Sequence, residues 1–228
     1  MKKNFLLAIA MSVSSLVFAS TTEENSVFHS EITPIPATIA TQMQHYTWHE
    51  GCPVPLEQLA YIQLSYWGFD NKPHTGKLIV NQELAQEVVA IFKELYQHHF
   101  PIQRMELMDA FYGDDAASMA ANNTSAFNCR EVTGRAGEYS QHSYGRAIDI
   151  NPLMNPYVKG HIVLPPEGTA YIDRTQPAPG QIVKGDIVYQ LFTQQGWDWA
   201  GDWYDLQDYQ HFEKRAHGKK RNPYGYGF

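Results

Sequence analysis

Apolar residues recur at three- and four-residue steps after Asn81: Leu84, Val88, Ile91 or Phe92, and Leu95. That spacing predicts an amphipathic helix running to about His98. Asn81 is a suitable N-cap, and Pro101 follows soon after the end. A second helix is predicted from near Asp186, with Ile187, Leu191 and Phe192 as its apolar face and Gly196 as its stop. Residues 56–66 mix apolar and polar positions and fit either a short helix or a strand. Later in the chain, β-like segments occur at 147–150, 160–164, 197–199 and 209–213. Loop chemistry marks Gly113-Asp114-Asp115, Asn122-Asn123-Thr124 and Asn151-Pro152. Helices first and short strands later predict an α+β domain, with helices packed on a small antiparallel sheet.

The N-terminal end reads differently. Lys2 and Lys3 precede an apolar run from Phe5 to Phe18, and Val17-Phe18-Ala19 supplies small residues beside the expected cleavage point after Ala19. Residues 1–19 are therefore expected to be a signal peptide, too short for a span that needs about 20 apolar residues. No cysteine follows the run to accept a lipid. Residues 20–44, rich in Ser, Thr and Pro, are expected to be an extended or disordered lead-in, and residues 45–228 the folded domain. The protein is expected to be exported, periplasmic or secreted, and monomeric, with no membrane span after processing.

Charge and cysteine usage narrow the function. The formal net charge is −7, and losing Lys2 and Lys3 makes it more negative, so nucleic acid is not an expected partner. Cys52 and Cys129 are the only cysteines. In an exported chain they predict one disulfide, because neither has a second cysteine at metal-site or thiol-motif spacing.

Two clusters carry chemistry. In Ser140-Gln141-His142-Ser143-Tyr144-Gly145-Arg146-Ala147-Ile148-Asp149, His142 and Asp149 stand seven residues apart. On one continuous strand they would face opposite ways, so they converge only if the chain turns, and Gly145 permits the turn. Beyond it Ala147 and Asp149 share one face and Ile148 and Ile150 the other, which directs the isoleucines to the core. The small Ala147 leaves space beside Asp149. In Asp208-Tyr209-Gln210-His211-Phe212-Glu213, a strand would direct Tyr209, His211 and Glu213 one way and Phe212 into the core; a helix would make Asp208 and His211 neighbours. Two histidines, a carboxylate and an open fourth position describe a catalytic zinc site, with a separate carboxylate as general base.

The first cluster resembles the S-x-H-x-x-G-x-A-x-D motif of the M15 metallopeptidases, the superfamily of D-alanyl-D-alanine carboxypeptidases and endolysins. The second resembles their late acidic-x-x-His motif. The resemblance covers roughly residues 75–214 and implies a Hedgehog-like peptidase fold with a single zinc site: one Zn2+ per chain held by His142, Asp149 and His211, and Asp208 as the base. It implies hydrolysis of peptidoglycan stem peptides by a zinc-activated water. D,D-peptidases of the superfamily typically carry Glu as the base, whereas L-alanyl-D-glutamate endopeptidases carry Asp, so Asp208 favours cleavage within the stem peptide. D-Ala-D-Ala carboxypeptidase is the alternative. Arg130 is the candidate for facing the substrate carbonyl or carboxylate, against a surface ion pair. Ser140 is either a hydrogen-bonding group of the site or a local turn residue.

Other residues take plainer readings. His98 and His99 suit a helix C-terminus, and the remaining histidines lack ligand spacing. Asp114-Asp115 reads as a solvated loop rather than a calcium site. Trp199 and Trp203 line the cleft or pack in the core. Two other functions compete. A non-catalytic metal-bearing cell-wall binding module would have no use for Asp208. A non-haem iron oxygenase shares the two-histidine, one-carboxylate triad, but usually spaces the first histidine and carboxylate two apart on a many-stranded barrel.

Overall fold

The computed structural model describes residues 27–132 and 135–225. The signal-peptide segment and the start of the expected lead-in lie outside the described residues.

The first layer is a three-stranded antiparallel sheet: β1 (Ser30–Pro34), β2 (Leu59–Trp67) and β3 (Pro73–Asn81), with β2 in the centre. Both faces of β2 are covered. Ala60, Ile62, Leu64 and Tyr66 join one apolar cluster and Leu59 and Tyr61 a second. Helix α1 (Ala37–Tyr46) contributes Met43 to the second cluster, and α2 (Ala85–Gln97) contributes Val88, Ile91, Phe92 and Leu95 to the first. The sheet thus lies between two helices. A strand buried on both faces has no polar alternation, which is why residues 56–66 fit helix or strand equally well.

This sheet corrects the expected lead-in. Residues 30–34 pair with β2 from Ser30↔Leu64 to Pro34↔Ala60, and α1 follows at once. Neither element signals itself locally. The strand gains its backbone partners from residues some thirty positions away, and the helix begins after Pro36 with no side-chain cap and has one fully buried residue, Met43. The folded unit therefore begins well before residue 45.

The helix expected from Asn81 opens with a short 3-10 turn over Gln82–Leu84 before α2. The Asn81 side chain accepts a hydrogen bond from the Glu83 amide, as an N-cap does. At the other end His98 Nδ1 meets the Glu94 carbonyl at 2.8 Å, and His99 stacks on Trp67 with centroids 4.0 Å apart. Helix α3 (Asp115–Ala120) is capped by Asp114, whose carboxylate accepts from the Ala117 amide. A hairpin follows, β4 (Glu131–Val132) with β5 (Arg135–Tyr139).

The remaining strands form two further small antiparallel sheets, where a single one was expected. One has the order β6 (Ala147–Asp149), β11 (His211–Glu213), β9 (Asp198–Trp199); the other pairs β7 (Tyr157–Lys159) with β8 (Ile162–Leu164) and β10 (Gln207–Asp208). Helix α4 (Ile187–Gln194) starts at Asp186, whose Oδ1 accepts from the Tyr189 amide, and ends before Gly196 at φ +84°. Ile148, Ile150 and Phe212 join Val188, Phe192 and Trp197 in the cluster that α2 also serves. The second half of the chain is thus welded to the first through one continuous core.

Cys52 and Cys129 form the expected disulfide, with Cα atoms 6.0 Å apart across 77 residues of sequence. It ties the loop after α1 to the segment entering Arg130. Replacing both cysteines by serine is expected to lower stability by about 2–5 kcal/mol. Urea unfolding of the double variant beside the oxidised parent checks this; coincident midpoints would remove the bridge from the stability of the fold.

Candidate active site

Residues β6 and β11 pair antiparallel with His211 directly opposite Asp149, Phe212 opposite Ile148 and Glu213 opposite Ala147. Alternation sends Ile148 and Phe212 into the core and leaves Asp149, His211 and Glu213 on the other face. Phe212 is completely buried and stacks on Phe192 at 4.2 Å, which fixes how far His211 projects. Opposite Glu213, the methyl of Ala147 is small enough to leave room for a carboxylate.

His142 arrives from a different element. It lies on the 3-10 turn Gln141–Tyr144, whose first amide bonds run to Ser140: the serine oxygen accepts from the His142 amide at 3.3 Å. Gly145 then reverses the chain at φ +64°, and its carbonyl accepts from the Asn81 amide at 2.8 Å. A Cβ there would come within 2.5 Å of the Asn81 nitrogen, so glycine is required by conformation and by space. The turn between His142 and Asp149 expected from their odd spacing is present.

The three side chains meet at one point. His142 Nε2 is 3.1 Å from Asp149 Oδ2, His211 Nδ1 is 2.9 Å from Asp149 Oδ1, and the two ring nitrogens are 3.2 Å apart. All three residues are buried. The outer nitrogen of each ring is already used. His142 Nδ1 meets the Ala126 carbonyl, and His211 Nε2 meets Glu213 Oε2 at 3.2 Å. Each imidazole is thereby set with its inner nitrogen as the free donor atom, the arrangement found around metal-ligating histidines. Glu213 is itself held by Arg215, whose Nε donates to Oε1 at 2.6 Å. The backbone of Asp149 is clamped by two bonds to Ser125, next to the Ala126 that receives His142.

Charge follows this geometry. Burial alone would raise the Asp149 carboxyl, but His142 and His211 outweigh it and hold Asp149 far below the usual carboxylate range. Burial would lower His211; the bonds to Asp149 and Glu213 prevail and raise it to about 10. Glu213 is held low, because His211 and Arg215 overcome its burial. The set is an anion-rich pocket for positive charge, the electrostatic condition for a cation site.

Asp208 stands apart from this trio. It ends β10, opposite Tyr157, and lines the same cleft of about 360 Å³. Its Oδ1 is buried with no hydrogen-bond partner. Burial pushes its carboxyl up to about 7; the His211 charge opposes that rise and the Asp149 charge adds to it. A buried carboxyl poised near neutrality beside a cation site can take up and release a proton.

The other candidates divide. Ser140 lines the cleft, and its side chain makes the local turn bond to His142. Arg130 lines the cleft too, but its guanidinium pairs with Asp115 Oδ2 at 2.8 Å. The Asp114-Asp115 segment is therefore no free loop: one carboxylate caps α3 and the other holds Arg130. Trp199 packs in the core and donates from Nε1 to the Tyr209 carbonyl at 2.9 Å, whereas Trp203 lines the cleft with its ring 5.8 Å from His211. Among the described residues, the other cluster able to hold a metal is His49, Cys52 and Cys129, whose sulfurs are joined in the disulfide.

Sequence reasoning missed the roles of Glu213, Arg215 and the Ala126 carbonyl. Alternation put Glu213 on the His211 face, which was the available signal. Nothing local indicated that it would receive the ring's outer nitrogen.

Residues 133–214 match the family model described as D-alanyl-D-alanine carboxypeptidase, among the M15 peptidases. Over that segment the chain is similar to the M15 peptidases. The matched segment contains His142, Asp149, Asp208 and His211 and leaves Arg130 and the β1–β2–β3 sheet outside it. No curated protein and no solved structure matches the chain.

Two outcomes follow from this geometry. Glu213→Gln keeps the shape but weakens the grip on the outer nitrogen of His211, and should lower divalent-metal affinity about 10–100-fold, measured by competition with a chromophoric chelator; unchanged affinity would mean that Glu213 does not orient the ring. In metal-free protein, Asp208 ionises near pH 4 when unfolded but only near 7 when folded, so the folded state binds more protons in between. Its contribution to stability therefore falls as pH rises from 4 to 7. Asp208→Asn lacks this loss and should be the more stable of the two at pH 8 by on the order of 1–3 kcal/mol, with little difference at pH 4. Urea unfolding at both pH values in the presence of a chelator checks it.

Proposed function

We propose that the chain is a zinc-dependent peptidase that hydrolyses the stem peptides of peptidoglycan. The observation that carries this reading is the convergence of His142 Nε2, His211 Nδ1 and the Asp149 carboxylate on one point, with the Asp208 carboxyl, whose Oδ1 has no hydrogen-bond partner, in the same cleft. Two imidazole nitrogens and a carboxylate, each oriented by an outer bond, fit the donor set of a catalytic zinc site. When bound, zinc supplies Lewis acidity, acidifying water towards neutral pH and polarising a peptide carbonyl.

The chain's own residues do the rest. Asp208 accepts the proton of the attacking water on its unpartnered oxygen and returns it to the departing amine. Its raised pKa suits both halves of that exchange, since the group is a competent base at neutral pH and a competent acid once protonated. Glu213 and Arg215 keep His211 in one tautomer and orientation, and the Ala126 carbonyl does the same for His142. Arg130 lies on the cleft wall, where its charge, shared with Asp115, can meet a substrate carbonyl or carboxylate. Ser140 shapes the turn that carries His142.

Two features bear on the bond that is cut. Aspartate rather than glutamate at the base position supports L-Ala-D-Glu endopeptidase action. The description of the matching family supports a second reading, D-Ala-D-Ala carboxypeptidase. A non-catalytic binding module would not require a carboxyl with a buried, unpartnered oxygen beside the donor set, and the small separate sheets lend no support to an oxygenase barrel. The protein is read as exported by cleavage after Ala19 and as working as a monomer in the periplasm or outside the cell. No helix among the described residues is long and apolar enough to cross a membrane.

The test compares the parent with Asp208→Asn and His211→Ala for zinc content and for peptidoglycan cleavage, with fragments identified by mass. Asp208→Asn should retain zinc and lose about 10²–10⁴-fold in rate; His211→Ala should lose both. New amino groups on D-Glu indicate the endopeptidase and free D-Ala the carboxypeptidase. Parental turnover in the zinc-loaded Asn variant would remove Asp208 from the base role, and loss of its zinc would overturn the ligand set.

A further inference from the structure

Tyr204 and Tyr224 keep 69% and 62% of their surface exposed, although their rings stack with centroids 4.7 Å apart and planes only 13° from parallel. Stacking uses one face of each ring and leaves the outer faces to water. The arrangement is fixed from outside the pair. The Tyr204 amide donates to the Pro223 carbonyl at 2.7 Å, joining the two segments. Arg221 grips both oxygens of Asp205, at 2.9 and 2.6 Å, and its guanidinium lies 4.0 Å over the Trp203 ring. Tyr204 sits between Trp203 and Asp205, and both of these line the cleft that holds His142, Asp149, Asp208 and His211. Tyr204 thus adjoins two residues of the cleft wall along the chain, and Arg221, through its ion pair and cation–π contact, ties the Tyr224 segment to that wall.

We propose that Tyr204 and Tyr224 form a carbohydrate-binding platform that takes the pyranose rings of the glycan strand to which the stem peptide is attached. This rests on the peptidoglycan reading above. A pyranose in its chair form presents a face of C–H bonds with hydroxyls at the edge. A preformed aromatic plane in water accepts that face by dispersion and shields it from solvent. Polar groups stand close for the hydroxyls: Asp202, two residues from Tyr204, and Lys184, which pairs with Asp202 at 2.9 Å and feels the Tyr204 hydroxyl. Nucleic-acid bases also stack on exposed rings, but a chain of net charge −7 repels the phosphate backbone. The platform would hold the insoluble polymer while the peptide branch enters the cleft beside it, so that affinity for the strand adds to affinity for the peptide.

The test uses the full chain and, as probe, peptide-free glycan strands released from purified sacculi by an amidase. No peptide bond remains to be cut, so binding is read directly by titration calorimetry. The parent should bind, and Tyr204→Ala and Tyr224→Ala should each weaken binding at least about five-fold, the equivalent of one aromatic contact. Tyr204→Trp, which keeps an aromatic plane, should retain it. Tyr112→Ala removes a ring 73% exposed and paired with Tyr46 elsewhere, and should bind as the parent does. The proposal is overturned if the parent does not bind the strands, if the alanine variants bind equally well, or if Tyr112→Ala loses as much. It is also overturned if sedimentation shows that the two rings serve self-association instead. A parent that binds strands but hydrolyses no stem peptide overturns the peptidase reading alone. One that hydrolyses stem peptides without binding strands overturns only the platform.

Discussion

The pairing of β11 with β6 is the constraint on which the rest of the site depends. It places His211 opposite Asp149 and sends Phe212 and Ile148 into the core from the same two strands. A one-residue slip would exchange the faces, burying a histidine and an aspartate among aromatics and exposing Phe212. The large apolar surface of Phe212, stacked on Phe192 and backed by Ile148 and Ile150, makes that slip costly. Hydrophobic burial on one side of a short sheet therefore sets the position of charged groups on the other.

The opposite face carries a cost that the fold must offset. Asp149, His211, Glu213 and Asp208 are ionisable groups taken out of water within one small region. Three of them satisfy one another: Asp149 and Glu213 hold His211 between them, and Arg215 neutralises the outer carboxylate. Asp208 is left with an unpartnered oxygen, and its burial raises its proton affinity. Stability alone would favour an apolar or amide side chain there. A buried carboxyl that destabilises the fold and lines a cleft is a candidate for chemistry.

The rigidity of the cleft comes from contacts outside the matched segment as well as within it. Gly145 leans on Asn81 at the end of β3, and the disulfide anchors the approach to Arg130. Arg130 and Asp115 close one wall, whereas Trp203, Arg221 and Asp205 build another. The N-terminal sheet and its two helices contribute none of the trio, but they form the surface against which the turn carrying His142 is seated.

The sequence by itself determined what depends on short-range chemistry. Asn81 and Asp186 cap their helices, and Gly145 turns the chain. The alternation through residues 147–150 assigns core and site faces correctly, because a strand's period is two wherever one face is buried; of the strand expected over 209–213 only His211–Glu213 forms, and Tyr209, on the turn before it, packs against the core instead of sharing the His211 face. His142, Asp149, Asp208 and His211 were legible as a set because their residue types and spacing leave few other readings. Tertiary structure decided the rest. Strand β2 is covered on both faces and so has no readable period; β1 exists only through backbone bonds to it, and α1 forms because the sheet offers Met43 a place to bury. Whether Arg130 stood free or paired depended on Asp115, fifteen residues away. Glu213 became the partner of His211, and Tyr204 met Tyr224, only once separate segments were brought together. These are long-range pairings, and no local pattern of apolar and polar residues encodes which distant partner a side chain will find.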